Sequence, residues 1–224
     1  MIAQIIMLFF RKLFGRKAKA GDTASPASSQ PQPQTTAPKP QPPAKPEPVP
    51  QHYAPSVDPV PAAAPKSAKF SEVRKQSLNH RGANSCHGVV IHHSAGSFAG
   101  SVDWCLRKES QVSYHCIIDK DGSRVQLCED NQRAWHAGKS TFKGRSGCNG
   151  FMLGLSFSGN TYQRQLTAEE ILSAIEWIED RWEKYGWDVS CITDHRTVSP
   201  GRKDDLNPVE YDRLMAAIHA HFRD

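Results

Sequence analysis

His195, Lys203 and Asp205 share one loop, Thr193-Asp194-His195-Arg196-Thr197-Val198-Ser199-Pro200-Gly201-Arg202-Lys203-Asp204-Asp205, with the lysine eight and the aspartate ten residues after the histidine. A neutral imidazole and a carboxylate both suit a divalent zinc ion, and an ammonium beside them can steady a developing oxyanion. One histidine and one aspartate are too few for a site, so the earlier chain must supply another ligand. Gly88-Val89-Val90-Ile91 is a short β-branched run ending in His92-His93, so a buried strand delivers two more imidazoles to the loop that follows. Adjacent strand residues face opposite ways, so only one of the two can join His195 and Asp205. Three protein ligands with the fourth position open form the catalytic zinc pattern, and water on such an ion has a pKa of roughly 7. That chemistry hydrolyses amides.

The elements that must position these groups are also legible. Ser101 caps a helix from Val102 to about Glu109. Ser113–Ile118 and Arg124–Cys128 flank Asp119-Lys120-Asp121-Gly122, a hairpin turn. A polar loop after Arg133-Ala134-Trp135-His136-Ala137-Gly138 closes at Cys148-Asn149-Gly150. Phe151–Gly159 then reads as a central strand whose Gly154 marks close packing. Thr167 and Glu170 form a capping box. The helix it opens carries Ile171, Leu172, Ile175, Ile178, Trp182 and Tyr185 on one stripe. Val189–Thr193 is the last strand and leads to His195. Asn207 caps a final helix with Pro208 at its first position, through to about Phe222. His115 reads as a strand histidine with its hydrogen bonds satisfied. The whole predicts an α/β (α+β) domain, a mixed central sheet flanked by helices.

Charge and composition divide the 224 residues unevenly. Residues 1–70 hold nine Lys/Arg against three Asp/Glu and fourteen of the sixteen prolines, while the remainder is one unit negative. A near-neutral domain without a basic stripe argues against nucleic acid as a partner. Residues 1–20 are apolar and then basic, too short to span a bilayer but suited to lie on an anionic inner-membrane surface; an atypical export signal is the alternative. Residues 21–69 are a Pro-rich, disordered spacer, and the domain occupies 70–224. Six cysteines, with no Cys-x-x-Cys pair, read as mostly reduced thiols in a domain large enough to form a core without disulfides.

Val90-Ile91-His92-His93-Ser94-Ala95-Gly96, Tyr114-His115-Cys116-Ile117-Ile118-Asp119-Lys120-Asp121-Gly122, Arg133-Ala134-Trp135-His136-Ala137-Gly138 and the late loop resemble the zinc-dependent N-acetylmuramoyl-L-alanine amidases. That family spans phage amidase-lysozymes, cytoplasmic anhydromuropeptide amidases and animal peptidoglycan-recognition proteins. The resemblance covers about residues 70–222. It implies one zinc ion per domain on His92, His195 and Asp205, with Lys203 stabilising the tetrahedral intermediate. It also implies a groove that binds peptidoglycan or muropeptide and cleavage between N-acetylmuramic acid and L-alanine. Trp135, His136 and Asn149 are groove candidates, and His136 is alternatively an orienter of a ligand. One departure stands out. The anhydromuropeptide branch carries a glutamate general base in a pattern like Ile-Gly-Ile-Glu, where this chain reads Leu153-Gly154-Leu155-Ser156. The phage enzymes lack that glutamate too and place a tyrosine where Tyr114 falls, so Tyr114 is the candidate proton-handling or intermediate-binding group. A non-catalytic peptidoglycan-binding module of the same fold is the alternative. The expected setting is a bacterial or phage-infected cell. There the protein acts as a monomer, cytoplasmic or associated with the inner membrane, with export to the envelope as the alternative.

Overall fold

Val89, Val90 and Ile91 are fully buried, and the strand they form is the spine of the site. The computed structural model describes residues 69–222. The apolar-basic segment over 1–20 and the spacer as far as residue 68 lie outside the described residues. In chain order the elements are β1 (Glu72–Arg74), β2 (His80–Ala83), β3 (Val89–His93), α1 (Phe98–Leu106), β4 (Cys116–Ile118), β5 (Arg124–Gln126), β6 (Gln132–Ala134), β7 (Thr141–Phe142), β8 (Arg145–Ser146), β9 (Leu153–Phe157), α2 (Ala168–Tyr185), β10 (Ile192–Asp194), the single turn α3 (His195–Val198) and α4 (Pro208–His221). The main sheet runs β1-β5-β4-β9-β3-β10, with the β4–β5 pair antiparallel and every other neighbour parallel. This is the mixed sheet expected from the sequence.

Period-two alternation sorts the two faces of this sheet. Val89, Ile91, Cys116, Ile118, Leu153, Leu155 and Phe157 pack on one face against α2 and α4, where Ile171, Trp177, Ile178, Leu214 and Ile218 complete the largest core. Each such large side chain, fully withdrawn from water, contributes roughly 1.5–3 kcal/mol of transfer free energy. The other face is covered in two separate pieces. Val90, Phe151, Met152 and Val198 form one cluster; Val102 and Cys105 of α1, with Ile117, Val125 and Leu127, form the second. His92 follows Val90 on this face. The polar groups of the site are set on it.

Several local signals decide these elements. Asp119 accepts from Gly122 N–H at 2.9 Å and closes the β4–β5 turn, with Gly122 in the left-handed region at φ 80°. The Thr167–Glu170 capping box forms in both directions at the start of α2. Asn207 accepts from Val209 N–H at 2.9 Å, with Pro208 opening α4. The strands β4, β5 and β9 are shorter than the sequence reading and α1 ends at Leu106, and two further boundaries differ from it. α1 starts at Phe98 under a Ser97 cap, so Ser101 is an interior residue whose hydroxyl donates to Ser94 Oγ. The last strand is shorter than expected, because Val189–Cys191 turns into a 3-10 segment whose cap is Asp188. All six cysteines are free thiols.

Gly154 on central strand β9 has a specific steric reason. A Cβ there would sit 2.5 Å from Cγ of His136, so the imidazole lies directly on the strand backbone. Gly154→Ala is expected to destabilise the fold by about 1–3 kcal/mol through overpacking. Denaturant unfolding checks this, and an unchanged midpoint would show that the ring is free to move away.

Candidate metal centre

Strand register brings the two ends of the site together. β3 and β10 run parallel with Asp194 opposite Ile91, so His195, the next residue, comes level with His92. Asp194 then turns the chain by capping α3, accepting from Thr197 N–H at 2.8 Å. The loop that follows returns Asp205 to the strand ends, where its backbone carbonyl accepts from Arg196 N–H at 2.7 Å. His92 Nδ1 lies 3.0 Å from His195 Nδ1, and each lies 3.1 Å from Asp205 Oδ2. All three residues are buried. His93 faces away, as alternation requires, with Nδ1 2.8 Å from Thr161 Oγ1.

The protons on these rings can be placed by following each hydrogen bond to a group that can only accept. His136 Nε2 lies 3.1 Å from the Met152 carbonyl, so that nitrogen carries the proton. Burial, foremost, and its histidine neighbours hold His136 well below the ordinary imidazole range, so the ring is singly protonated and its Nδ1 is an acceptor. His136 Nδ1 is 3.0 Å from His92 Nε2, which therefore donates and leaves His92 Nδ1 with a bare lone pair. His195 Nε2 donates to the Ala137 carbonyl at 3.3 Å, which bares His195 Nδ1 in the same way. Burial and repulsion from His195 lower His92 to about 4, so it is neutral at physiological pH.

Two lone pairs and a carboxylate therefore converge, and none of the three supplies a proton to the others. Such a set repels itself unless a cation lies among its members. Donors each 2.0–2.2 Å from one tetrahedral ion stand about 3.3 Å apart, close to the observed 3.0–3.1 Å. The residues fit a divalent metal with nitrogen and oxygen preference.

The remaining residues singled out in the sequence fall into distinct places. Tyr114 is partly buried beside the cluster, its ring centroid 5.1 Å from that of His92, with Ser156 within hydrogen-bonding reach of the phenol. Burial first, then the Asp205 charge, raise the phenol above its ordinary value, so at neutral pH it is a donor and not a base. Ser156 stands on β9 in register with His92 and has no acidity to offer. Lys203 is exposed, near enough for its charge to oppose protonation of His92 and His93. Asn149 Oδ1 accepts from the backbone N–H groups of His136 and Ala137, at 3.2 and 2.8 Å, and so sets the turn that carries both ring contacts. Trp135 is half-buried, its N–H donating to Ser113 Oγ at 2.9 Å. His115 is fully satisfied: it accepts from Gly154 N–H at 2.9 Å, and its Nε2 donates to the Gln132 carbonyl at 2.9 Å. Arg202 was not singled out by sequence. Its guanidinium donates to the carbonyls of Ala137 and Lys139 and to Ser199 Oγ, fixing the carbonyl on which His195 rests.

Among the described residues, fold and site define an α/β domain with one candidate mononuclear metal centre at the ends of parallel strands. Residues 82–208 match the N-acetylmuramoyl-L-alanine amidase family, more than half of the chain, and the chain belongs to that family. It is 33% identical over 116 residues to the 1,6-anhydro-N-acetylmuramyl-L-alanine amidase AmpD of Salmonella typhimurium, covering 50% of this chain and 60% of that one. With the Haemophilus influenzae AmpD it shares 35% identity over 116 residues, 49% of this chain and 60% of the other. The chain thus spans about 60% of the length of these curated relatives. A selenomethionine AmpD crystal structure superposes with a TM-score of 0.55 at 25% identity, over 67% of this chain and 95% of that one. The Escherichia coli amidase AmiD, solved with anhydro-N-acetylmuramic acid-L-Ala-D-γ-Glu-L-Lys, shares the fold with a TM-score of 0.52 at 22% identity, over 59% of this chain and 58% of that one.

The proton placement makes His136 the residue that fixes which nitrogen of His92 faces the centre. His136→Ala is expected to weaken divalent metal binding about 10–100-fold, the usual cost of losing an orienting partner. Chelator competition measures it, and an affinity equal to that of the unsubstituted protein would dismiss the orienting role.

Proposed function

We propose that this chain is a zinc-dependent amidase that hydrolyses the bond between N-acetylmuramic acid and L-alanine in peptidoglycan or muropeptides. The observation that carries this reading is the convergence of His92 Nδ1, His195 Nδ1 and Asp205 Oδ2 at one buried point. Family membership and the activities for which the relatives are named support the substrate class.

Zinc held by these three residues would supply an acidified water and a Lewis acid for the carbonyl. The chain's own residues do the rest. His136 and the Ala137 carbonyl accept from Nε2–H of His92 and His195, so that Nδ1 of each ring is turned inwards. The water oxygen joins the lactyl carbonyl carbon, the carbon–nitrogen bond to alanine breaks, and the departing amine takes up a proton. Tyr114, as a protonated phenol beside His92, donates a hydrogen bond to the oxygen on which charge develops. Lys203 adds a fixed positive charge to the same region, which favours that anion over the neutral amide. No carboxylate occupies the Ser156 position, so this chain places no strong general base there, and zinc on His92, His195 and Asp205 would have to supply the water's acidity. Trp135, half-buried and next to His136 in the chain, would serve as a platform for sugar or peptide.

Purified protein should contain one zinc ion and release L-alanine-bearing peptides from isolated sacculi or from muropeptides. His195→Ala should lose both properties. Zinc binding with no peptide release above that of His195→Ala would contradict the amidase reading and favour a binding module.

A further inference from the structure

His93 is the imidazole that β3 turns away from the metal cluster, yet its partners lead back to a ligand. Thr161 is fully buried, and its Oγ1 accepts from Asn207 N–H at 3.0 Å. That leaves the hydroxyl proton for His93 Nδ1, 2.8 Å away. One residue on, the Tyr162 hydroxyl donates to the Asp204 carbonyl at 3.0 Å. Asp204 and Asn207 bracket Asp205, so the turn after β9 grips the late loop on both sides of the carboxylate. The grip is tied through His93 to the strand that carries His92.

Asp205 needs such a tie. Between the end of α3 at Val198 and the start of α4 at Pro208 the chain forms no regular element of its own. Groups on loops are held less closely than groups on strands or helices; His92 and His195 lie within a strand and a helix, whereas Asp205 lies in the loop, tied to α3 through its carbonyl on Arg196 N–H. We infer that Thr161 is a positioning residue for the Asp205 ligand, acting through His93 and Asn207 with Tyr162 in support, without touching the metal. This rests on the metal-centre reading above, and it gives the second histidine of the His92-His93 pair a function.

Zinc(II) affinity of the full chain, measured by chelator competition, tests it. Thr161→Val keeps the side-chain shape and removes the hydroxyl, and should weaken zinc binding about tenfold or more. Thr161→Ser should restore affinity to within about twofold, because the hydroxyl returns. Tyr162→Phe removes only a bond at a half-buried position and should weaken zinc binding measurably, by less than Thr161→Val does. That variant decides the matter if Thr161→Val does not fold. A purely structural role would lower the melting temperature of the metal-free Thr161→Val protein and leave zinc affinity unchanged, which would overturn the inference, as would an unaltered affinity in Tyr162→Phe. If the unsubstituted protein binds no zinc, the metal-centre reading itself fails, and the positioning role with it.

Discussion

Two backbone carbonyls decide the chemistry of this centre. Met152 O can only accept, so it fixes the proton of His136, and His136 in turn fixes the proton of His92. Ala137 O does the same for His195 in one step. Both inward-facing Nδ1 atoms are lone pairs for this reason, and with Asp205 they form a cation-binding set rather than a hydrogen-bonded histidine–aspartate network. The fold around them serves this placement. Gly154 gives the His136 ring its room, Asn149 sets the turn that carries both His136 and Ala137, and Arg202 holds the Ala137 carbonyl in place.

The split apolar cover of the sheet explains where the centre lies. Helices α2 and α4 seal one face with a continuous core, whereas the opposite face is closed by two clusters. His92 and Ser156 belong to this second face, towards the carboxyl ends of the parallel strands β3 and β9 where open α/β sheets place their ligands, and Tyr114, just before β4, packs beside His92. Burial at this point serves two ends. It keeps the His92 imidazole neutral, with a lone pair a metal could use, and it keeps Tyr114 protonated as a donor.

Much of this was legible in the sequence where the determinants are local. The Asp119–Gly122 turn, the Thr167–Glu170 box, the Asn207-Pro208 start and the pairing of His195 with Asp205 all rest on residues close in the chain. His92 was reachable because a buried strand ends in it, and alternation correctly separates it from His93. What the sequence concealed depends on distant partners. Strands β1 and β2 are mostly exposed and lack apolar alternation, so pairing with β5 and β6 makes them strands. The start of α1 was missed because Phe98-Ala99-Gly100 is a poor helical opening, and Ser101 resembled a cap more than Ser97 did. His136 was left between groove contact and orienter, since only the fold brings it 3.0 Å from a residue 44 positions earlier. The Thr161 grip on the late loop left no signal in spacing at all.

The proposed metal site depends on the tautomers of His92 and His195, and nitrogen-15 NMR of the imidazoles reads them directly. The structure predicts that His92 and His195 both carry their proton on Nε2, and that adding zinc shifts the Nδ1 resonances of these two rings while Nε2–H persists. Protonated Nδ1 on either ring, or zinc-induced shifts at Nε2 instead, would contradict it.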